Sequence, residues 1–266
     1  MRQACVQLRR RTFSAVPSLS KVPQITLYFW IIKILTTAAG EAMSDYLVHR
    51  LNPYLAVGIG FVAFVIAMAV QLKVRQYIPW VYWLAVLMVA VFGTMTADVL
   101  HIQFRVPYVV STIFFAVTLV VIFTVWQRSE HTLSIHSIVT RRRELFYWAA
   151  VLATFAMGTA LGDLTAYTAK LGFLSSGIIF AVVFLVPAIA YRFFNANAIF
   201  TFWFAYVMTR PLGASFADWT GKTHAAGGLD WGDAPVASVL VLAIAGFVAY
   251  VSARRVDRQA PTTVSG

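Results

Sequence analysis

A tryptophan, a glycine and an aspartate recur four times in this chain with one fixed spacing, each time inside a long apolar stretch. In every copy the glycine follows the tryptophan by ten residues and the aspartate follows it by fifteen. A carboxylate inside hydrocarbon is costly, so four at one equivalent position indicate an internal repeat with a shared purpose. The copies are Trp30, Gly40 and Asp45; Trp83, Gly93 and Asp98; Trp148, Gly158 and Asp163; and Trp203, Gly213 and Asp218.

The apolar stretches that hold these copies are typical of membrane spans. The chain is 60% hydrophobic and only 12% charged, whereas soluble domains are usually about 25% charged. The stretches are long and continuous, as transmembrane helices require, and lack the short alternating segments of membrane barrels. The sequence therefore predicts an all-α polytopic membrane bundle of eight transmembrane helices, at about 25–47, 53–72, 79–100, 107–127, 145–167, 173–193, 198–218 and 235–253.

These spans group into four tandem helical hairpins within a single transmembrane domain, residues 25–255. The first span of each pair carries the motif, and the second begins near proline or glycine and ends about 20 residues later at a basic residue. Two spans return the chain to its starting side, so the repeats have parallel topology. The repeats are predicted at about 25–75, 79–128, 145–193 and 198–255, with a polar cytoplasmic connector at 127–144.

The net charge of +11 is distributed in a way that predicts orientation. Positive residues accumulate on the cytoplasmic side of bacterial membrane proteins, which here places both termini in the cytoplasm. The lipid bilayer is then the expected partner, and nucleic acid is not. One side of the predicted bundle holds Arg2, Arg9, Arg10, Arg11, Lys21, Lys73, Arg75, Arg128, Arg141, Arg142, Arg143, Arg192, Arg254, Arg255 and Arg258, and the other holds Arg50, Arg105, Lys170 and Lys222.

The two ends of the chain are predicted to be cytoplasmic tails, residues 1–24 and 256–266. The first is rich in Arg and Ser and lacks acidic residues. We interpret it as a disordered basic tail, with a transit peptide or an overextended start as alternatives. Cys5 is the single cysteine, so neither a disulfide framework nor a cysteine metal site is expected.

The motif resembles a known family of bacterial membrane proteins, described as uncharacterised membrane-anchored proteins, made of four tandem two-helix repeats with a characteristic tryptophan. The resemblance covers about residues 25–255 and implies a bacterial inner membrane location. It implies no activity or cofactor. Its carriers are Phe29-Trp30, Tyr82-Trp83, Tyr147-Trp148 and Phe202-Trp203, with the glycines and aspartates that follow.

Positions 3, 7, 11 and 15 residues after each tryptophan lie one helical turn apart and share a face. Charges inside a membrane should face the bundle interior, so we expect these stripes to converge on an acidic vestibule above a basic constriction. Carboxylate and hydroxyl oxygens suit hard cations, and crowded carboxylates also suit proton binding. The candidate ligands are Asp45, Asp98, Asp163, Asp218, Glu41, Thr94 and Thr159, and the candidate gate residues are Lys33 and Arg210.

Structural roles compete with these assignments. Each aspartate could cap a helix or pair with a nearby cation such as Arg50, Arg105, Lys170 or Lys222, and Glu41 could form a static salt bridge with Arg210. The repeated glycines are interpreted as close-packing points, with backbone ion coordination as the alternative. The tryptophans are interpreted as interfacial anchors or interhelical wedges, with an aromatic ligand platform as the alternative.

The histidines and the last outer loop leave further alternatives open. His49, His101 and His224 follow aspartates of the motif and either extend an entry site for a transition metal or are solvated loop residues, the interpretation we favour. The loop from Trp219 to Pro235 is long enough to cover a vestibule, although a plain flexible loop is the simpler interpretation.

Taken together, the sequence favours a small secondary transporter or channel-like protein for a divalent metal ion or a proton, with the four aspartates as its site. A membrane scaffold or sensor with structural aspartates is the alternative, and a membrane enzyme is the third. Motifs for phosphate binding, metalloprotease or serine hydrolase chemistry do not occur, so we expect neither catalysis nor a cofactor.

Overall fold

The computed structural model describes residues 20–257, and within them the chain forms eight α-helices and no β-strand. The all-helical prediction is therefore confirmed, and each helix coincides with a predicted span to within a few residues. Two π-helical turns, Val99–Gln103 and Leu164–Thr168, continue the third and fifth helices. The helices are α1 Leu27–Arg50, α2 Pro53–Lys73, α3 Pro79–Asp98, α4 Tyr108–Glu130, α5 Arg141–Asp163, α6 Gly172–Phe194, α7 Ala198–Gly221 and α8 Asp233–Arg254.

Six of these helices, namely α2, α3, α4, α5, α6 and α8, are long and apolar enough to cross a membrane. The other two, α1 and α7, carry the charges that break the repeat pattern: Lys33 and Glu41 on α1, and Arg210 on α7. The outward faces of α2, α4 and α6 expose many large aliphatic and aromatic side chains. Together these features point to a multi-pass membrane protein.

Side chains at the helix starts explain several of the boundaries. The Thr26, Thr140 and Asn197 side chains accept hydrogen bonds from the first backbone N–H groups of α1, α5 and α7. Asn52 does the same for α2, where Pro53 occupies the first helical position. Such caps satisfy donors that have no partner within the helix.

The four motif helices form a closed ring. Each of α1, α3 and α5 packs against the next motif helix, and α7 packs back against α1. The second helix of each repeat lies outside this ring and packs mainly on the motif helix of the following repeat: α2 on α3, α4 on α5, α6 on α7 and α8 on α1. Contacts between the two helices of one predicted hairpin are much less extensive. The repeats therefore interlock around the ring.

The repeated glycines set the spacing of the ring. Each glycine of the motif faces the residue seven positions after the tryptophan on the next helix: Gly40 faces Ala90, Gly93 faces Phe155, Gly158 faces Arg210 and Gly213 faces Thr37. A methyl group at residue 93 would lie 2.7 Å from the Phe155 Cβ. These contacts agree with the close-packing interpretation of the glycines.

The tryptophans join the same helices at one end of the ring, called here the tryptophan end; the opposite end, with the aspartates, is called the aspartate end. The aromatic residue before each tryptophan contacts the tryptophan of the next repeat. The centroid distances are 5.6 Å for Phe29–Trp83, 5.6 Å for Tyr82–Trp148, 6.0 Å for Tyr147–Trp203 and 5.8 Å for Phe202–Trp30. Trp83, Trp148 and Trp203 are buried, so these three are interhelical wedges.

Polar contacts tie the ends of the chain to the tryptophan end. The Lys21 ammonium lies 2.5 Å from a carboxylate oxygen of the buried Glu144. The Gln24 N–H donates to the Asp257 carbonyl (2.9 Å). Tyr77 donates to the Asp257 carboxylate (2.6 Å), and burial raises the pKa of the Tyr77 phenol well above its usual range. The rest of the two predicted tails, residues 1–19 and 258–266, lies outside the described residues.

Candidate functional site

Arg210 lies inside the ring and contacts all three other motif helices. Its Nη2 group donates to the Glu41 carboxylate of α1, to the Thr94 hydroxyl of α3 and, at 2.6 Å, to the Thr159 hydroxyl of α5. Arg210 is 0% exposed and Glu41 is 5% exposed. One guanidinium therefore links α7 to the three other motif helices.

The structure thus brings together four of the sequence-predicted residues, but in a different relation from the predicted one. Glu41, Thr94 and Thr159 were expected to form a layer of oxygen ligands for a cation. Here the guanidinium of Arg210 occupies that position, and the salt bridge between Glu41 and Arg210 is present. A cation reaching this layer has to compete with Arg210.

Lys33, the other predicted gate residue, lies apart from these oxygens. Its ammonium is 4.1 Å from the centroid of the Phe155 ring and 4.2 Å from that of the Tyr206 ring. Lys33 is 1% exposed, and within residues 20–257 its Nζ makes no hydrogen bond. Arg210 lies against Phe155 as well, with its Cζ 5.6 Å from the ring centroid. The Lys33 nitrogen therefore lies between two aromatic rings, apart from the oxygens that hold Arg210.

The four aspartates of the motif belong to two groups of closely placed ligand atoms. In the first group, which we call the α1–α7 cluster, carboxylate oxygens of Glu41, Asp45 and Asp218 lie within 4.8 Å of one another. Lys222 balances part of the charge of this cluster: its Nζ is 2.5 Å from Asp45 and 3.9 Å from Asp218. Burial by itself would lower the pKa of the Lys222 ammonium, but the two carboxylates raise it above its usual value.

The second group, which we call the α3–α5 cluster, contains Asp98, His101 and Asp163, whose ligand atoms also lie within 4.8 Å of one another. The His101 Nδ1 is 3.7 Å from a carboxylate oxygen of Asp163. The other ring nitrogen, Nε2, is 2.6 Å from the Ser111 hydroxyl of α4, and the Tyr108 ring packs on the imidazole at 4.3 Å. A carboxylate pair and an imidazole therefore share one partly buried position.

The π-helical turn after Asp98 places His101 in this cluster. Sequence analysis favoured a solvated loop for His101, and that interpretation is wrong: the side chain is 5% exposed. Its position three residues after Asp98 was a usable signal, because residues three apart on a continuing helix share a face. The other two histidines differ from it. His49 is 66% exposed and bonds to the Asp45 carbonyl, and His224 bonds to the Gly228 carbonyl.

Two cavities lie away from these clusters. The larger, about 500 Å³, is at the tryptophan end and is lined by Trp30, Phe202, Pro187 of α6 and the connector residues Ile135 and His136, among others. The smaller, about 230 Å³, lies between α1, α7 and α8 and is lined almost entirely by apolar side chains. Neither cavity is lined by an aspartate of the motif.

The loop that follows α7 turns back on the end of its own helix. Leu229, Asp230, Trp231 and Gly232 donate backbone hydrogen bonds to the carbonyls of Trp219, Lys222, Thr220 and Gly221. These bonds fold the loop against the end of its own helix.

Comparison with known proteins agrees with the fourfold pattern. A family described as Repeat of Unknown Function (DUF347) matches residues 28–77, 81–132, 146–197 and 201–257. Each match includes one copy of the tryptophan, glycine and aspartate motif. Neither the curated proteins nor the solved structures contain a match to the chain. Four matches that together cover well over half of the sequence show that the chain belongs to this repeat family, whose function is unknown.

Proposed function

We propose that this chain is a multi-pass membrane transporter for a small cation, a divalent metal ion or a proton, and has no catalytic role. The observation that supports it is the arrangement inside the ring: carboxylates from all four repeats gather at the aspartate end, directly before a buried arginine that joins the four motif helices. Intramembrane ionisable groups typically mark ion pathways.

In this proposal the aspartate end receives the ion, and the contact between Arg210 and Glu41 keeps the path closed. A proton on Glu41, or a cation bound by it, removes the negative charge that holds the guanidinium. Arg210 then loses its charged partner and keeps only neutral acceptors, among them the hydroxyls of Thr94 and Thr159. Loading of the site is thereby coupled to release of α7 from the other motif helices, as a gated transporter requires.

The membrane topology of the chain is part of this proposal. We infer that α1 and α7 cross the membrane along with the six apolar helices, and that all four motif helices run in the same direction. The same two positions of neighbouring motif helices meet at every junction, both at the glycines and at the aromatic residues, which supports parallel repeats. The Lys and Arg distribution supports a cytoplasmic tryptophan end in a bacterial inner membrane.

Ion flux in proteoliposomes tests the proposal. In protein carrying both Asp98→Asn and Asp163→Asn, the cation or proton flux should fall at least about tenfold, since each substitution removes a carboxylate from the α3–α5 cluster. Asp230→Asn is the matched control, because Asp230 is an exposed aspartate of the loop after α7. Equal flux in wild type and the double variant would refute the assigned pathway.

The Lys222 contacts favour a second role for part of the site. Asp45 and Asp218 both contact one lysine, as expected for a membrane scaffold or sensor in which these carboxylates are structural. On that interpretation Asp45→Asn lowers the folded yield and leaves the flux per folded molecule unchanged. If folded Asp45→Asn protein instead loses flux per molecule, the α1–α7 cluster belongs to the ion pathway.

A further inference from the structure

We propose that Asp98, His101 and Asp163 form a binding site for a first-row divalent transition metal ion such as Zn²⁺. This inference deepens the proposed function, and it rests on that function only in taking the bound metal as the transported ion. Binding itself is independent of transport. The site combines side chains from two motif helices and the π-helical turn Val99–Gln103.

One arrangement of the hydrogen bonds around His101 places its ring proton on Nε2. The Ser111 hydroxyl donates its single proton to the Tyr108 carbonyl at 3.0 Å. With its proton placed there, Ser111 accepts from the His101 Nε2–H at 2.6 Å. This leaves Nδ1 of the neutral imidazole with a free lone pair, the form in which histidine binds metal ions.

That lone pair faces a carboxylate. The His101 Nδ1 has no hydrogen-bond partner among the described residues, although the side chain is only 5% exposed. The Asp163 oxygen opposite it is 3.7 Å away, which is too long for a hydrogen bond. Two ligand atoms of one zinc ion, each bound at roughly 2.0–2.2 Å, lie roughly 3.3–4 Å apart. The separation therefore fits two ligands of one ion better than a direct contact.

Asp98 supplies the third ligand. Its carboxylate lies within 4.8 Å of the ligand atoms of His101 and Asp163, and no described residue forms a hydrogen bond or a salt bridge with it that would compete. Two carboxylates and one imidazole suit Zn²⁺, Co²⁺, Mn²⁺ or Fe²⁺, whereas Mg²⁺ and Ca²⁺ prefer oxygen ligands alone. Ser111 holds the imidazole from behind, as the partners of metal-bound histidines commonly do.

The α1–α7 cluster does not offer a comparable site. It contains oxygen ligands only, and Lys222 already contacts both of its aspartates. A metal ion placed there would have to displace a lysine ammonium and would lie close to the Arg210 guanidinium that holds Glu41. The two clusters are therefore chemically different although the four aspartates are equivalent in sequence.

Titration of the purified full-length protein in detergent with Co²⁺ tests the site, because visible absorption bands report cobalt bound by nitrogen and oxygen ligands. We expect one Co²⁺ per chain, displaced by Zn²⁺ and unaffected by millimolar Mg²⁺. His101→Gln retains a hydrogen-bonding group of similar length but lacks the imidazole. It and Asp98→Asn should each weaken binding at least about 100-fold, and Ser111→Ala about tenfold.

His49→Gln is the matched control, since His49 is an exposed histidine at the same end of the bundle, and it should bind Co²⁺ as wild type does. Absence of saturable Co²⁺ binding in wild type, displacement by Mg²⁺, or unchanged binding in folded His101→Gln would overturn the inference. The wild-type titration tests whether the metal site exists even if a variant fails to fold. Metal binding without ion flux would support this metal site and refute the proposed transporter. Proton flux without metal binding would support the transporter and refute the metal site.

Discussion

Arg210 contacts all three other motif helices of the ring through side-chain hydrogen bonds. It interrupts the repeat pattern, because the equivalent residues of the other motif helices are Thr37, Ala90 and Phe155. A buried guanidinium needs a nearby negative charge and further acceptors, and Glu41 with two threonines supplies them. The charge that breaks the fourfold symmetry is therefore balanced within the ring, on a different helix.

Much of this arrangement was predictable from sequence, except for the final position of the Arg210 guanidinium. Positions four residues apart share a helix face, so the spacing alone placed Glu41, Thr94 and Thr159 at one level and Arg210 one turn away. The long arginine side chain then spans that turn and takes the position that a cation was expected to occupy. Helical spacing gives the level of a Cα atom and gives no information on how far a flexible side chain reaches.

Glu41→Gln should destabilise the protein by about 3–5 kcal/mol, because it leaves the Arg210 charge buried without a partner. Adding Arg210→Met removes that charge, so the double variant should be more stable than Glu41→Gln alone. Unfolding in mixed detergent micelles measures both values. Glu130→Gln is the control: Glu130 pairs with Arg142 and the partly exposed Arg143, and its loss should cost at most about 1 kcal/mol. Additive losses in the double variant would contradict an Arg210–Glu41 coupling.

At the scale of the helices, α3 and α5 differ from α1 and α7 in a way that sequence did not predict. The apolar pattern predicted four equivalent motif helices, yet only α3 and α5 continue into π-helical turns. A π-turn accommodates one extra residue per turn and turns the following side chains to a new direction. Because hydrophobic periodicity barely changes over a single turn, the pattern predicted a helix there and missed the turn that brings His101 to Asp163.

Gly40→Ala should destabilise the ring by about 1–3 kcal/mol, the usual cost of overpacking. The new methyl group would meet the Cβ and backbone of Ala90, whose carbonyl carbon would be 3.0 Å away, and backbone cannot rotate aside as a side chain can. Gly246→Ala is the matched control, since nothing lies within 4 Å of a methyl group at that position of α8. It should be neutral or stabilising by about 0.5–1 kcal/mol. Thermal unfolding of both variants in one detergent makes the comparison, and equal stabilities would argue against glycine packing as the determinant of ring spacing.

At the scale of the whole molecule, the repeats interlock instead of standing as separate hairpins. The sequence predicted four tandem hairpins, yet α2 packs mainly on α3, and α8 completes the circle on α1. Sequence periodicity identified the four units and their common register. It could not identify which neighbour each outer helix covers, because an apolar helix carries little information about its partner when lipid and protein are both apolar.

The two ends of the bundle differ in their number of Lys and Arg residues, and this difference predicts the orientation of the protein in the membrane. The tryptophan end receives the connector and the ends of α2, α4, α6 and α8, where most described Lys and Arg residues lie, and the aspartate end has few. On the positive-inside rule we propose that the tryptophan end faces the cytoplasm. An ion that binds at Asp98, His101 and Asp163 would enter from outside.

Single cysteines introduced into Cys5→Ser protein test this orientation. Ala226→Cys places a thiol in the exposed loop after α7, at the aspartate end, and His136→Cys places one on the exposed part of the connector, at the tryptophan end. A membrane-impermeant maleimide should label residue 226 in intact spheroplasts and residue 136 only in inverted vesicles. The opposite pattern would place the acidic clusters on the cytoplasmic side, and transport through them would then begin inside the cell. The metal site does not depend on this result, because its ligands are the same from either side; what the labelling decides is whether the site loads from the medium or from the cytoplasm.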